Sequence, residues 1–129
     1  MTEIMLVEDD QPILDLMEIL LRRLGYEPVI IPDVREALER IRTDPPALIL
    51  LDLMMAPVNG WEFLEKLRGV YGMCELPVLL FTASSTVDEK IADLNDPFLG
   101  VLKKPASIDE LRAGIEQFLP GQGLKNNPE

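Results

Sequence analysis

The chain contains no histidine and only one cysteine among its 129 residues. The absence of histidine excludes a Ser-His-Asp triad, a zinc site with histidine ligands and a phosphohistidine of the chain's own. The single Cys74 cannot form an internal disulfide, and there is no histidine to activate its thiol as a nucleophile. We therefore expect Cys74 to be an ordinary core or loop residue.

Basic residues are also scarce, since 12 lysines and arginines stand against 23 aspartates and glutamates and the net charge is −11. A surface of this sign repels nucleic acid phosphates unless its basic residues are gathered on one face. The most prominent basic groups are only pairs, Arg22-Arg23 and Lys103-Lys104. We therefore predict no direct binding of DNA or RNA.

Long apolar runs are missing as well, because charges or prolines interrupt each one before it reaches membrane-spanning length. The first residues, Met1-Thr2-Glu3, lack the basic region of a signal peptide. The sequence therefore predicts no membrane association and a cytoplasmic location. The length favours one domain over residues 1–119, and the proline, glycine and asparagine content of residues 120–129 favours a tail or the start of a linker.

What the chain does contain is five short apolar segments, typical of strands that are buried on both faces. They are residues 4–7, 27–31, 48–51, 78–81 and 98–102. Amphipathic segments with helix-capping patterns separate the strands, and two of these patterns are capping boxes, Asp33 with Glu36 and Ser107 with Glu110. Strands that alternate with helices predict an α/β fold with a parallel sheet and right-handed crossovers.

The other three helices are located by their own start signals. The first is predicted to follow Asp10 and to stop at Gly25, and the third to run from about Gly60 to Arg68. The fourth is predicted to be capped by Ser85 or Thr86 and to break at residues 95–97, which read Asn-Asp-Pro.

Four of the five apolar segments run into residues with demanding chemistry. The first is followed by Glu8-Asp9-Asp10, the third by Asp52, the fourth by Thr82 and the fifth by Lys103-Lys104. The carboxyl ends of parallel strands meet at one edge of the sheet, where ligands bind in folds of this class. We therefore expect carboxylates, a hydroxyl and a lysine to converge there, as in a site for a divalent metal and a phosphate.

The acidic residues have a functional and an ordinary interpretation. Glu8, Asp9 and Asp52 offer oxygen ligands that suit Mg²⁺, which takes few protein carboxylates and completes its shell with water and phosphate. The ordinary interpretation, helix caps and solvated loop residues, fits Asp10, which precedes a helix. It fits Asp52 poorly, because a carboxylate directly after four aliphatic residues costs stability unless it is used. Lys104 would supply a compact positive charge suited to a phosphate or a carboxylate.

In these features the chain resembles the receiver domain of two-component response regulators over residues 3–119. The sequence Val7-Glu8-Asp9-Asp10 is similar to the acidic pair that follows the family's first strand, and Leu51-Asp52 is similar to its phosphoacceptor. Gly60, Thr82-Ala83 and Lys104-Pro105 stand 8, 30 and 52 residues after Asp52, as in typical members. Five elements in register over the whole chain make the resemblance specific.

The resemblance implies a flavodoxin-like, doubly wound five-stranded sheet in the order 2-1-3-4-5 with five helices. It also implies that Asp52 accepts a phosphoryl group from the phosphohistidine of a sensor histidine kinase or phosphotransfer protein. Lys104 would neutralise charge on the phosphoryl oxygens, and Thr82 would bond one of them. The chain would then be a signalling domain and not an enzyme, with self-catalysed phosphotransfer and slow autodephosphorylation only.

A cofactor and partners are implied as well. Mg²⁺ would be held by Glu8, Asp9, Asp52 and the backbone carbonyl of Met54. The output would pass to a downstream protein target through a protein–protein interface, and homodimerisation stays open.

Two departures from the family pattern keep an alternative open. Val101 stands where members usually carry an aromatic residue three positions before the lysine, and residues 95–98 replace a frequent Ala-Gly-Ala-Asp sequence. The alternative is a pseudo-receiver of the same fold that acts as an interaction module without phosphorylation. A haloacid dehalogenase-type phosphatase is disfavoured, because Met54 stands where its general-acid aspartate would be. A dinucleotide-binding domain is disfavoured because no Gly-x-Gly-x-x-Gly follows the first strand.

Overall fold

Five parallel strands form one sheet in the order β2-β1-β3-β4-β5. The strands are β1 (Glu3–Val7), β2 (Glu27–Ile30), β3 (Leu48–Asp52), β4 (Val78–Thr82) and β5 (Leu99–Lys103). This computed structural model describes residues 2–53, 60–83, 87–104 and 106–120. The predicted fold class and strand order are confirmed, and the strand ends lie within one residue of those read from the apolar segments.

Within the described residues there are five α-helices, of which α1 to α4 connect successive strands and α5 follows β5. They are α1 (Gln11–Arg23), α2 (Val34–Thr43), α3 (Gly60–Glu65), α4 (Val87–Leu94) and α5 (Ile108–Glu116). The Ser107 and Glu110 capping box is present with both of its bonds. At α2 the Asp33 carboxylate accepts from the backbone N–H groups of Arg35 and Glu36. These caps satisfy N–H groups that the first helical turn leaves without partners.

The ends of two other helices also follow the sequence signals. The Asp10 carboxylate caps α1, and the chain leaves that helix through Gly25 at a φ of 91°, which a glycine adopts without strain. Helix α4 ends at Leu94, and Asn95 follows with a φ of 51°. The predicted cap of α4, Ser85 or Thr86, lies outside the described residues.

The prediction of a regular helix through Arg68 was wrong in its last turn. From Lys66 to Val70 the chain forms a wider π-helical turn, in which the Tyr71 N–H donates to the Lys66 carbonyl. The Arg68 guanidinium donates to the backbone carbonyls of Met73, Leu76 and Phe98 and pairs with Asp96. These distant partners stabilise the wider turn, and a local helical periodicity contains no information about them.

Two apolar clusters cover the two faces of the sheet. The first, which we call the α2/α3/α4 cluster, contains Met5 and Leu51 and packs under those three helices. The second, the α1/α5 cluster, contains Leu6 and Leu50 and packs under α1 and α5. Every residue of β3 is buried, because the strand is central and covered on both faces. The central strand therefore carries Asp52 at its end on a rigid support.

Three further sequence predictions concern the surface and the chain ends. None of the helices in the described part of the chain combines the length and the apolar character needed to cross a membrane. Cys74 is exposed in the segment between the π-helical turn and β4, as expected of a loop residue. Residues 121–129 lie outside the described residues, so the division into a domain and a tail stays a prediction.

Candidate functional site

The pairing of the strands brings the predicted polar residues to one edge of the sheet. Asp52 at the end of β3 lies opposite Phe81 in β4, and Val7 lies opposite Leu51. Side chains alternate between the two faces of a sheet, so residues two positions apart share a face. Glu8, Asp52 and Lys104 each stand two residues after a member of the α1/α5 cluster, namely Leu6, Leu50 and Leu102. This common alternation explains why these three polar side chains meet.

Three carboxylates form an acidic cluster at this edge. Glu8, Asp9 and Asp52 each place one carboxylate oxygen within 4.8 Å of the others. Glu8 and Asp52 are 1% and 4% exposed, whereas Asp9 lies on the surface. Two buried carboxylates and one that faces solvent make a site that is open on one side.

Lys104 supplies the positive charge of the site. Its Nζ lies 3.4 Å from Asp52 Oδ1 and 3.6 Å from Glu8 Oε1. Its backbone N–H donates to the Thr82 carbonyl at 2.8 Å, which fixes the start of the side chain at the end of β4. The Nζ also lies over the Phe81 ring, 4.9 Å from its centroid. Sequence reasoning missed Phe81, although its position directly before Thr82 could have indicated a place beside Asp52.

The burial of Glu8 alters the acidity of its carboxyl group. Burial, followed by a hydrogen bond with the Asp52 carboxyl, raises the pKa of Glu8 from 4.5 to about 7. Its Oε2 accepts from the Asp10 N–H at 3.1 Å, while Oε1 is buried without a hydrogen-bond partner among the described residues. A buried carboxylate oxygen in this state is an available ligand for a cation.

Gly60 positions the backbone on the other side of Asp52. A Cβ atom at Gly60 would lie 2.7 Å from the Asp52 backbone oxygen and 2.7 Å from the Leu53 Cα. The Gly60 N–H donates to the Leu53 carbonyl at 3.1 Å, so the first residue of α3 is bonded to the chain directly after Asp52. The glycine eight residues after Asp52 is therefore required by this close approach.

Besides the carboxylates and Lys104, the sequence singles out Thr82, Val101 and Met54. Thr82 is fully buried at the end of β4, and β4 pairs with β3 on one side and with β5 on the other. Val101 is partly buried in β5 and packs against the α2/α3/α4 cluster. Met54 lies outside the described residues, so its predicted role as a metal ligand is not described by the structure. The structure thus brings together Glu8, Asp9, Asp52 and Lys104, and places Thr82 on the neighbouring strand.

The donor set fits a hard divalent cation. All the side-chain ligands on offer are carboxylate oxygens, and one buried carboxylate oxygen has no hydrogen-bond partner among the described residues. Mg²⁺ prefers oxygen ligands and keeps several waters, which the exposed side of the site would admit. A lysine beside these carboxylates adds a second positive charge of the kind that stabilises a phosphoryl group. The arrangement can therefore support phosphoryl transfer to a carboxylate.

Comparisons with known proteins agree on one family. Residues 4–116 match the model of the response regulator receiver domain. The response regulator MprA of Mycolicibacterium vanbaalenii is 34% identical over 116 residues, which are 90% of this chain and 49% of MprA. The chain spans about half the length of the curated relatives that it matches.

Two solved structures share the fold. The N-terminal domain of a response regulator receiver protein from Methanoculleus marisnigri JR1 superposes with a TM-score of 0.72 at 33% identity, covering 92% of this chain and 96% of that one. The receiver domain of the sensor histidine kinase PA1611 from Pseudomonas aeruginosa PAO1, described with a magnesium ion in its active-site cleft, has a TM-score of 0.78 at 24% identity. It covers 92% of this chain and 97% of that one, and at this identity it shows the fold alone. By the family match, the relatives and the strand order together, this chain belongs to the response regulator receiver domain family.

Proposed function

We propose that Asp52 is the phosphoacceptor of a two-component phosphorelay and that phosphorylation changes how the chain binds other proteins. The observation that carries the proposal is the position of Lys104 Nζ, 3.4 Å from Asp52 Oδ1 at the edge of the sheet where the acidic cluster lies. Asp52 is 4% exposed at the end of the central strand. A buried carboxylate held beside a lysine and two further acids is costly unless it is used in chemistry.

The transfer step requires few groups from the protein. An Asp52 carboxylate oxygen forms a bond to phosphorus as the bond from phosphorus to the donor's imidazole nitrogen breaks, and the bonding electron pair leaves with the imidazole. Lys104, whose Nζ already lies against Asp52, neutralises charge that develops on the phosphoryl oxygens. Thr82 would donate its hydroxyl to a phosphoryl oxygen and so register the modification.

Receiver domains bind Mg²⁺ at an acidic site, and this chain has an acidic cluster. We assign the ligands in this chain to Glu8, Asp9 and Asp52, with the Met54 carbonyl as a fourth. When bound, the ion would supply positive charge for the phosphoryl oxygens. The carboxylates of the chain would set the position of the ion. Because Glu8 is buried, water is kept from its side of the site.

A receiver domain is a signalling domain and not a classical enzyme. The transfer proposed here is catalysed by the receiver itself, and loss of the phosphoryl group by hydrolysis is proposed to be slow. The phosphoryl donor would be a sensor histidine kinase or a phosphotransfer protein, and the output a downstream protein target. We place this exchange in the cytoplasm, without direct contact to nucleic acid by this domain.

The alternative is a phosphorylation-independent pseudo-receiver. The partly buried Val101 is the observation that favours it, because valine at this position of β5 offers no large ring that could respond to phosphorylation. Intact mass spectrometry after incubation with Mg²⁺ and acetyl phosphate separates the two. We expect one phosphoryl group on the wild type and none on Asp52→Asn. No uptake by the wild type would favour the pseudo-receiver, and uptake by both proteins would exclude Asp52 as the acceptor.

A further inference from the structure

A groove of about 570 Å³ lies between α3 and α4, on a part of the surface that the acidic cluster does not use. Its apolar lining comes from Trp61, Leu64 and Leu94. Leu94 is 46% exposed, so much of its apolar side chain is accessible to a partner. The groove therefore offers apolar contact area to a partner from outside the fold.

The charged side chains of the lining are of two kinds. Arg68 and Asp96 form an ion pair of 2.9 Å, and the other bonds of the guanidinium go to backbone carbonyls, so this pair serves the fold. Lys90, in contrast, lies with its Nζ 4.9 Å from the centroid of the Trp61 ring. The face of that ring is thus already a place where a cation is stabilised.

The surface around the groove is acidic. Five exposed carboxylates lie on α3 and α4, and one of them, Asp88, pairs with Lys103. The other four stand against two exposed lysines, one on α4 and one directly after α3: Glu62, Glu65, Glu89 and Asp93 against Lys90 and Lys66. An apolar floor with an acidic rim is complementary to a helix that carries apolar residues on one face and basic residues beside them.

Both walls of the groove follow strands that end at the candidate functional site. Helix α3 starts at Gly60, which is bonded to Leu53 and packed against the Asp52 backbone. Helix α4 follows β4, whose last residue is Thr82. A change at Asp52 or Thr82 would therefore act on both walls through short connections.

We propose that this groove docks a basic amphipathic helix of the downstream protein, and that phosphorylation of Asp52 changes its affinity. The docking rests on the groove alone, and only the dependence on phosphorylation rests on the proposed function. Trp61 is the one tryptophan of the chain, so its fluorescence reports on the groove directly.

The test uses the full chain and two synthetic peptides of about 14 residues without tryptophan, a length that can form a short amphipathic helix. Both carry leucines at positions i, i+3, i+4 and i+7; the remaining positions are mainly lysine in one and mainly glutamate in the other. We expect the lysine peptide to change Trp61 fluorescence saturably and the glutamate peptide to leave it unchanged. Absence of binding by the lysine peptide would overturn the proposal.

Matched variants separate docking from general attraction to an acidic protein. Leu94→Ala and Glu65→Gln should each weaken lysine-peptide binding by about fivefold or more. Leu16→Ala on α1 and Glu36→Gln on α2 are controls, because Leu16 is 54% exposed and Glu36 is an exposed glutamate. Equal weakening by groove and control variants would show non-specific attraction and overturn the proposal. Self-association of the free protein that Leu94→Ala abolishes would assign the groove to a second copy and also overturn it.

A separate experiment measures whether phosphorylation changes the affinity for the lysine peptide. With acetyl phosphate and Mg²⁺, the affinity of the wild type for the lysine peptide should change by about fivefold or more, and that of Asp52→Asn should stay the same. If intact mass shows phosphorylated Asp52 and the affinity is unchanged, the groove is not the output surface. If Asp52 takes up no phosphoryl group, the proposed function fails, whereas peptide binding to the unmodified protein still decides the docking.

Discussion

Replacing Glu8 with glutamine tests how the buried carboxyl links the site to folding. The pKa of Glu8 is raised from 4.5 to about 7, first by burial and then by the hydrogen bond with Asp52. Between these values the native protein holds a proton that the unfolded chain has released. The stability from this proton is fully present below pH 4.5 and is lost as the pH rises through about 7.

The size of the effect follows from the shift. At about 1.4 kcal/mol per pKa unit, a rise from 4.5 to about 7 corresponds to at most about 3–4 kcal/mol. In the presence of a chelator, the wild type should therefore lose about 1–3 kcal/mol of unfolding free energy between about pH 5 and about pH 8. Glu8→Gln has no carboxyl to ionise and should lose markedly less over this range.

Urea unfolding followed by Trp61 fluorescence at several pH values measures this difference. Glu36→Gln, at an exposed position on α2, is the control and should keep the pH dependence of the wild type. Addition of Mg²⁺ at about pH 8 should restore stability to the wild type and less of it to Glu8→Gln, because a ligand of the ion has been removed. Identical pH dependence in wild type and Glu8→Gln would refute the reasoning.

Three further predictions concern the residues around Asp52. Gly60→Ala should lower the free energy of unfolding by about 1–3 kcal/mol, because the added Cβ would clash with the backbone. Gly69→Ala is the control: no atom lies within 4 Å of its added Cβ, so the free energy of unfolding should change by no more than about 1 kcal/mol. Urea unfolding measures both variants. Lys104→Met should slow phosphoryl uptake from acetyl phosphate by about 10²-fold or more, as followed by intact mass over time, and an unchanged rate would remove the lysine from the mechanism. Met54→Asn should speed loss of the phosphoryl group, since an amide two residues after the acceptor can orient a water that methionine cannot; an unchanged decay rate would show that position 54 does not flank the path of the water.

The fold class and the convergence of the polar residues could be predicted because both depend on short-range patterns, whereas the strand order was implied by the resemblance to receiver domains. The run Leu48-Ile49-Leu50-Leu51 is typical of a doubly covered strand, and in a parallel sheet the end of that strand places Asp52 at the edge where Glu8 and Lys104 also arrive. Once strands alternate with helices, crossover handedness and a parallel sheet follow. Gly60 was matched by spacing alone, and the structure supplies its physical reason in the close approach to the Asp52 carbonyl.

Other features could not be predicted because they depend on contacts between distant residues. The π-helical turn from Lys66 to Val70 is stabilised by Arg68 bonds to carbonyls up to 30 residues away. The sequence shows two adjacent acids, Glu8 and Asp9, and does not show that the first is buried and the second exposed. The contact of Lys104 with the Phe81 ring requires the register of β4 against β5, which the sequence pattern does not specify.

The central claim is that Asp52 is the residue that receives the phosphoryl group, and site mapping tests it most directly. The protein is incubated with Mg²⁺ and acetyl phosphate, and the acyl phosphate is then reduced with borohydride, which converts a phosphorylated aspartate to homoserine. Tandem mass spectrometry of the digested protein locates the homoserine. We predict homoserine at position 52 and at no other aspartate. Homoserine at Asp9 or elsewhere, or unmodified Asp52 in a protein that has taken up a phosphoryl group, would contradict the claim.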